Sequence, residues 1–215
     1  MRHGWIKVID LFSLAWETGA GGGTKGRISK PPEVRRQEIL DTAMELFAEK
    51  GYEDTSMADI ARRMGVVQGL CYRYFDSKRV LFQEAMEQYV KECCAAGLPI
   101  IHDRGRTIRQ RLDAMAELIL RMEDTARHRA FYHRPGSQSF HTELNLRICE
   151  YLVPHVAEEL SDACARGELR LEHPELTASY LLHGQIGLLG ESDTPLETRV
   201  ALLRRCADRI LAPEN

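Results

Sequence analysis

An all-α fold is predicted from three observations on the amino-acid sequence. Apolar residues recur at three- and four-residue spacing through most of the chain after Val34. No apolar run alternates with period two, as a half-buried strand would. Ser, Asp and Gly stand where those periodic stretches begin and end. The 215 residues suffice for one large domain or two small ones, and 44% hydrophobic content supports a buried core.

Residues 1–32 read as a flexible N-terminal extension. Gly19, Gly21, Gly22, Gly23 and Gly26 are interleaved with Lys25, Arg27 and Lys30 before Pro31-Pro32, a composition that buries little. Two readings stay open: a remnant without function, or a basic arm that follows a phosphate backbone. Arg2 to Lys7 ahead of Val8–Trp16 has a faint signal-peptide outline. Asp10 interrupts it and no small-residue cleavage site follows. No run reaches the ~20 apolar residues of a membrane span. Six irregularly spaced cysteines suit a reducing cytoplasm.

The first helix is predicted over Val34–Lys50, with Ile39, Ala43 and Phe47 on one stripe and Gly51 as its left-handed cap. Ser56-x-x-Asp59 reads as a capping-box variant opening a short helix that runs through Met64 and ends at Gly65. A third helix covers Gln68–Tyr74. Ser77 caps a longer one carrying Val80, Leu81, Ala85, Met86 and Tyr89. Later helices are expected at Thr107–Ala126, Thr142–Arg166 (kinked near Pro154), Glu175–Leu189 and Pro195–Leu211, the last opened by Thr194-Pro195-x-Glu197. All six lysines lie at or before Lys91. This shift supports a boundary near residue 95.

The formal charge of −3 argues, as a single number, against nucleic acid. Its distribution argues otherwise. Between Ser56 and Val80 lie Arg62, Arg63, Arg73, Lys78 and Arg79 against Asp59 and Asp76. In the same window, three short helices with a glycine turn between the second and third have the layout of a helix-turn-helix, whose last helix can enter a DNA major groove. Ile60, Ala61 and Met64 are expected to face inward, with Val66, Cys71 and Phe75 closing the core.

Spaced along this region are Phe47–Gly51, Thr55-Ser56, Asp59-Ile60-Ala61, Gly65-Val66, Gly69, Tyr72-x-Tyr74-Phe75, Ser77-Lys78 and Leu81-Phe82. With these, residues 33–90 resemble the tetracycline-repressor (TetR) family of bacterial transcriptional regulators. The resemblance implies a helix-turn-helix DNA-binding domain at 33–80 and a regulatory helical domain at 81–215 that binds a ligand and dimerises, with the helix 77–95 as connector. Ser56 offers a hydroxyl at the start of the second helix, and Lys78 a cation at the start of the fourth, for phosphate. Gln68 can pair with adenine, and Gly69 lets the backbone approach base edges. Tyr72 and Tyr74 match positions that touch phosphates and bases, or pack between helices. Arg73 can reach phosphate or guanine. Leu70 could meet a thymine methyl or simply pack. Val67, Leu70 and Cys71 depart from the residues common in the family, which leaves base preference open.

The expected partners are a double-stranded DNA operator, a small-molecule effector and a second copy of the chain. In the last two helices, Leu181, Leu182, Ile186 and Leu189, with Gly184 and Gly187, and the stripe Leu196, Val200, Leu203, Ala207 and Ile210 suit a four-helix dimer interface or an intrachain core. Candidate effector contacts are Phe131, Tyr132, His133, His141, Cys149, Tyr151, His155, Tyr180 and His183. No cofactor or metal is expected, because no Cys-x-x-Cys or His-x-x-x-His spacing exists. No nucleophile elbow or cysteine-protease motif points to an enzyme. The alternatives are a redox- or metal-sensing variant using Cys93-Cys94 or Cys149, and a ligand-binding protein that has lost DNA recognition.

Overall fold

A computed structural model describes residues 30–123, 138–189 and 193–212. The expected extension (1–29) and the candidate contacts Phe131, Tyr132 and His133 lie outside the described residues. The chain divides into compact units at Met1–Arg35 and Arg36–Asn215. Of the first unit, residues 30–35 are described; they begin a helix in which Arg35 N donates to Pro31 O at 3.0 Å.

Every described element is a helix or a connection between helices. In order they are α1 (Pro32–Lys50), α2 (Met57–Arg63), α3 (Gln68–Tyr74), α4 (Lys78–Cys94) and α5 (Leu98–Ile101). After these come α6 (Ile108–Glu123), α7 (Gln138–Ala165), α8 (Pro174–Gly184), α9 (Ile186–Leu189) and α10 (Leu196–Ile210). Two positive-φ glycines, Gly51 at 82° and Gly65 at 66°, end α1 and α2. A side chain there would strain the backbone, which is why the chain can turn sharply at both.

One apolar cluster joins Ile39, Leu46 and Phe47 of α1, Ile60 of α2, Cys71 of α3 and Phe75 to Leu81, Met86 and Val90 of α4. It continues into Phe140, Leu144 and Leu152 of α7. Phe47 and Phe82 meet edge-on at 5.0 Å between ring centroids. A smaller cluster gathers Ile108, Leu160, Ala163, Leu169, Ala178 and Leu211 at the far end of α7.

Several later boundaries differ from expectation. The segment expected as one helix over Glu175–Leu189 is two, α8 and α9, parted at Gln185. Glycine lowers helix stability by about 1 kcal/mol relative to alanine, and Gly184 and Gly187 flank the break. Among the described residues, nothing lies within 4 Å of a Cβ built at either glycine, so neither serves a close approach between them. Helix α10 starts one residue late, with Pro195 at the cap position and no side-chain cap bond. By contrast, Thr107 opens α6 with a reciprocal pair: its N–H donates to Gln110 Oε1 at 2.9 Å and its Oγ1 accepts from Gln110 N at 3.3 Å. Helix α7 runs on through Pro154.

Candidate nucleic-acid interface

The α2–α3 unit is built from its inner face outward. Ile60 and Cys71 are fully buried, Ala61 and Phe75 nearly so. Helix α3 is therefore held by residues on one side, and Gln68, Gly69, Tyr72 and Arg73 are left exposed on the other. Leu70 and Tyr74 are half-buried at its margin. Thr55, almost wholly buried, ties the end of α1 to the start of this unit. Its hydroxyl bonds the carbonyl oxygens of Leu46 at 3.2 Å and Gly51 at 2.8 Å.

Ser56 forms the full capping box. Its Oγ accepts from Asp59 N at 3.1 Å and donates to Asp59 Oδ2 at 2.5 Å, while Ser56 N donates to Asp59 Oδ2 at 3.0 Å. Hydrogen bonds from the Ser56 side chain and backbone hold the Asp59 carboxyl down to about 2. An anion already neutralises this helix start.

The five basic groups of the window are unequal. Arg62 pairs with Asp59 at 2.7 Å, and Arg63 with Glu49 at 2.7 Å. Arg73 stacks its guanidinium over the Tyr74 ring at 5.3 Å and meets no carboxylate among the described residues. The Lys78 ammonium donates to Tyr52 O at 2.9 Å and Glu53 O at 3.4 Å, 4.2 Å from the Tyr52 ring centre. It fastens the α1–α2 connection to α4. Nothing in local spacing signals this contact, which spans 26 residues.

Of the residues expected at an effector site, those described keep several separate partners. Tyr151 and His155 adjoin, with ring centroids 5.3 Å apart. His155 Nδ1 lies 3.0 Å from His102 Nε2, and His102 Nδ1 lies 3.0 Å from Glu159 Oε1. Cys149 Sγ donates to Leu182 O at 3.2 Å. His183 Nδ1 lies 2.9 Å from Ser179 O, and His141 is buried at the start of α7. Tyr180 is 68% exposed on α8 and shares an open surface groove with Leu176 and Ile210.

Burial pushes the Cys93 thiol up to about 12, and Cys94 and Cys149 each to about 11, with Cys149 adding to the effect on Cys94. Thiols held protonated at neutral pH are poor nucleophiles and metal ligands. No cluster of His, Cys, Asp and Glu able to hold a metal occurs among the described residues. No helix among them is long and apolar enough to cross a membrane.

Comparison with known proteins agrees with this geometry. Residues 39–85 match the family model described as bacterial regulatory proteins, tetR family. The chain is 27% identical over 148 residues to the HTH-type transcriptional repressor KstR2 of Rhodococcus jostii, covering 64% of this chain and 71% of that protein. It is 29% identical over 117 residues to the HTH-type transcriptional activator FasR of Mycolicibacterium smegmatis, covering 51% and 53% respectively. The chain thus spans about half the length of the second relative. The fold is shared with Salmonella enterica GusR, at a TM-score of 0.59 and 23% identity over 86% of this chain and 99% of that one. With its buried α2–α3 core and its outward α3 face, the chain carries over residues 39–85 the domain described as bacterial regulatory proteins, tetR family.

Proposed function

We propose that the chain is a homodimeric, ligand-responsive DNA-binding transcriptional regulator, a repressor released from a palindromic operator by a small molecule. The observation that carries the DNA part is the α3 face: Gln68, Gly69, Tyr72 and Arg73 point outward while Cys71 is fully buried beneath them. Backbone-directed contacts from Tyr72, Arg73 and Lys78 fix the register, and Gln68 reads base edges. Ser56, its hydroxyl and N–H already engaged by Asp59, holds the start of α2 in place rather than meeting a phosphate. In this reading residues 33–80 are the reader, 77–95 the connector and 81–215 the regulatory body.

The exposed Leu176 and Tyr180 of α8 and Leu202 of α10 supply the apolar centre of a two-fold interface between copies. Effector contacts lie in the body, with Tyr151 and His155 the pair best placed to act together. A differential affinity of about 1–3 kcal/mol between the two states weakens operator binding 5- to 150-fold. Acting on chromosomal DNA, the protein works in the cytoplasm.

Purified protein is titrated against DNA from around its own gene and against random duplex at physiological salt. A specificity ratio of about 10³ or more is expected. Equal affinity for both duplexes would sink the reading and leave a ligand-binding protein that has lost DNA recognition. Binding that collapses in oxidant or chelator would reinstate thiol or metal sensing.

A further inference from the structure

The first turn of α3 gives up local stability with no return among the described residues. Val67 holds the N-cap position and makes no side-chain cap bond, where Ser, Thr, Asn or Asp would satisfy a backbone N–H. It is also the most exposed large hydrophobic side chain among the described residues, at 77%. Two residues on, Gly69 occupies an ordinary helical position. A Cβ there would meet nothing within 4 Å, so neither its dihedral angles nor intrachain crowding calls for glycine. The preceding helix is opposite in kind: Ser56 closes a complete capping box. Val67 and Leu70 lie three residues apart, on one side of the turn.

We propose that Val67, with Leu70 beside it, is a specificity-determining apolar contact that selects thymine through its C5 methyl group, and that Gly69 keeps the approach to the base pair clear. The inference rests on the DNA-binding reading above. Among the base edges of the major groove, only thymine presents a methyl group; the others present hydrogen-bond donors and acceptors that valine cannot engage. Facing cytosine, the Val67 methyls desolvate polar groups without pairing them. The occupant is duplex DNA: the major groove of RNA is too deep and narrow for the helix, and uracil lacks the methyl.

The test uses the full-length protein and a random duplex pool. Bound sequences are recovered, and each thymine of the resulting motif is replaced singly by deoxyuracil, which removes the methyl and nothing else. One thymine per half-site is expected to lose affinity about fourfold on replacement, and replacement in both half-sites about 15-fold, since a buried methyl-sized group contributes about a factor of four. In Val67→Ser the penalty disappears and thymine is no longer preferred at that position. Serine restores a cap, so this variant melts no lower than the parent. A motif without a methyl-dependent thymine overturns the inference and spares the function. So does a deoxyuracil penalty that persists unchanged in Val67→Ser. If no motif is recovered at all, the DNA-binding reading falls and this inference with it.

Discussion

Replacing Glu159 by glutamine removes the charge at the centre of the body's most buried polar cluster. Its carboxylate, 3% exposed, accepts from Arg111 Nη1 at 2.8 Å and from Arg104 Nε at 3.3 Å, and lies 3.0 Å from His102 Nδ1. Burial alone would raise its pKa. Hydrogen bonds from His102, Arg111 and Arg104 together outweigh burial and hold it down to about 2, against an ordinary 4.5. The folded value lies below the unfolded one. The carboxylate therefore stabilises the fold above pH 4.5, and that contribution is lost as pH falls towards 2. At 1.36 kcal/mol per tenfold change in acidity, the difference is about 3 kcal/mol. Glu159→Gln also strands Arg111, 5% exposed. Breaking a buried pair from one side costs about 3–5 kcal/mol, so the two routes agree.

A loss of about 3 kcal/mol lowers the melting temperature by roughly 6–12 °C in a chain of this size. Thermal and urea melts at fixed protein concentration, at pH 7 and near pH 2.5, measure it. The gap between parent and variant is expected to shrink at the lower pH. Adding Arg111→Met to the variant should recover part of the loss, because the stranded cation is gone. A loss under 1 kcal/mol at pH 7, or a gap of equal size at both pH values, would refute the reasoning.

Arg73→Ala should weaken binding to all duplexes and reduce the slope of log affinity against log salt by about 1, read by anisotropy at several salt concentrations. Lys78→Met removes a charge-assisted bond to Tyr52 O and should cost about 1.5–3 kcal/mol in urea unfolding. Ser56→Ala removes the α2 cap and should lower stability by about 1 kcal/mol by the same measurement. Leu176→Asp with Tyr180→Asp, at positions 66% and 68% exposed, should leave the fold intact by circular dichroism while sedimentation reports a monomer.

What was legible in the sequence was local. Gly65 and Phe75 bracket α3, and its expected span, Gln68–Tyr74, is the one observed. The Ser56–Asp59 box needed only a three-residue spacing and is present in full. Charge counted along the chain misled in one respect: the Arg62–Asp59 pair lies inside the counted window, but Arg63 is also paired, with Glu49 from outside it, so the local excess of three basic groups falls to two. The Glu49 partner lies 14 residues away, beyond any helical spacing. The His102–Glu159 contact spans 57 residues and the Arg111–Glu159 contact 48, so no motif could announce either. The α8–α9 break was missed for a different reason. Gly184 and Gly187 suit a close helix approach in a dimer interface, and the same lack of side chain lowers helix stability where α8 and α9 part.

The apolar cluster that runs from Ile39 through Phe75 and Leu81 to Leu152 has a consequence for how the molecule comes apart. A chain cut after α3 would leave Leu81, Met86 and Val90 without their seat and would strip Phe47 of its edge-on partner Phe82. The reader is thus not expected to behave as a detachable cassette, and melts of the full chain are expected to show it unfolding together with the helices behind it. The same continuity restricts evolutionary exchange. A reader from another regulator would have to arrive with its matching α4 face, so recombination between such chains is tolerated beyond that helix and not before it.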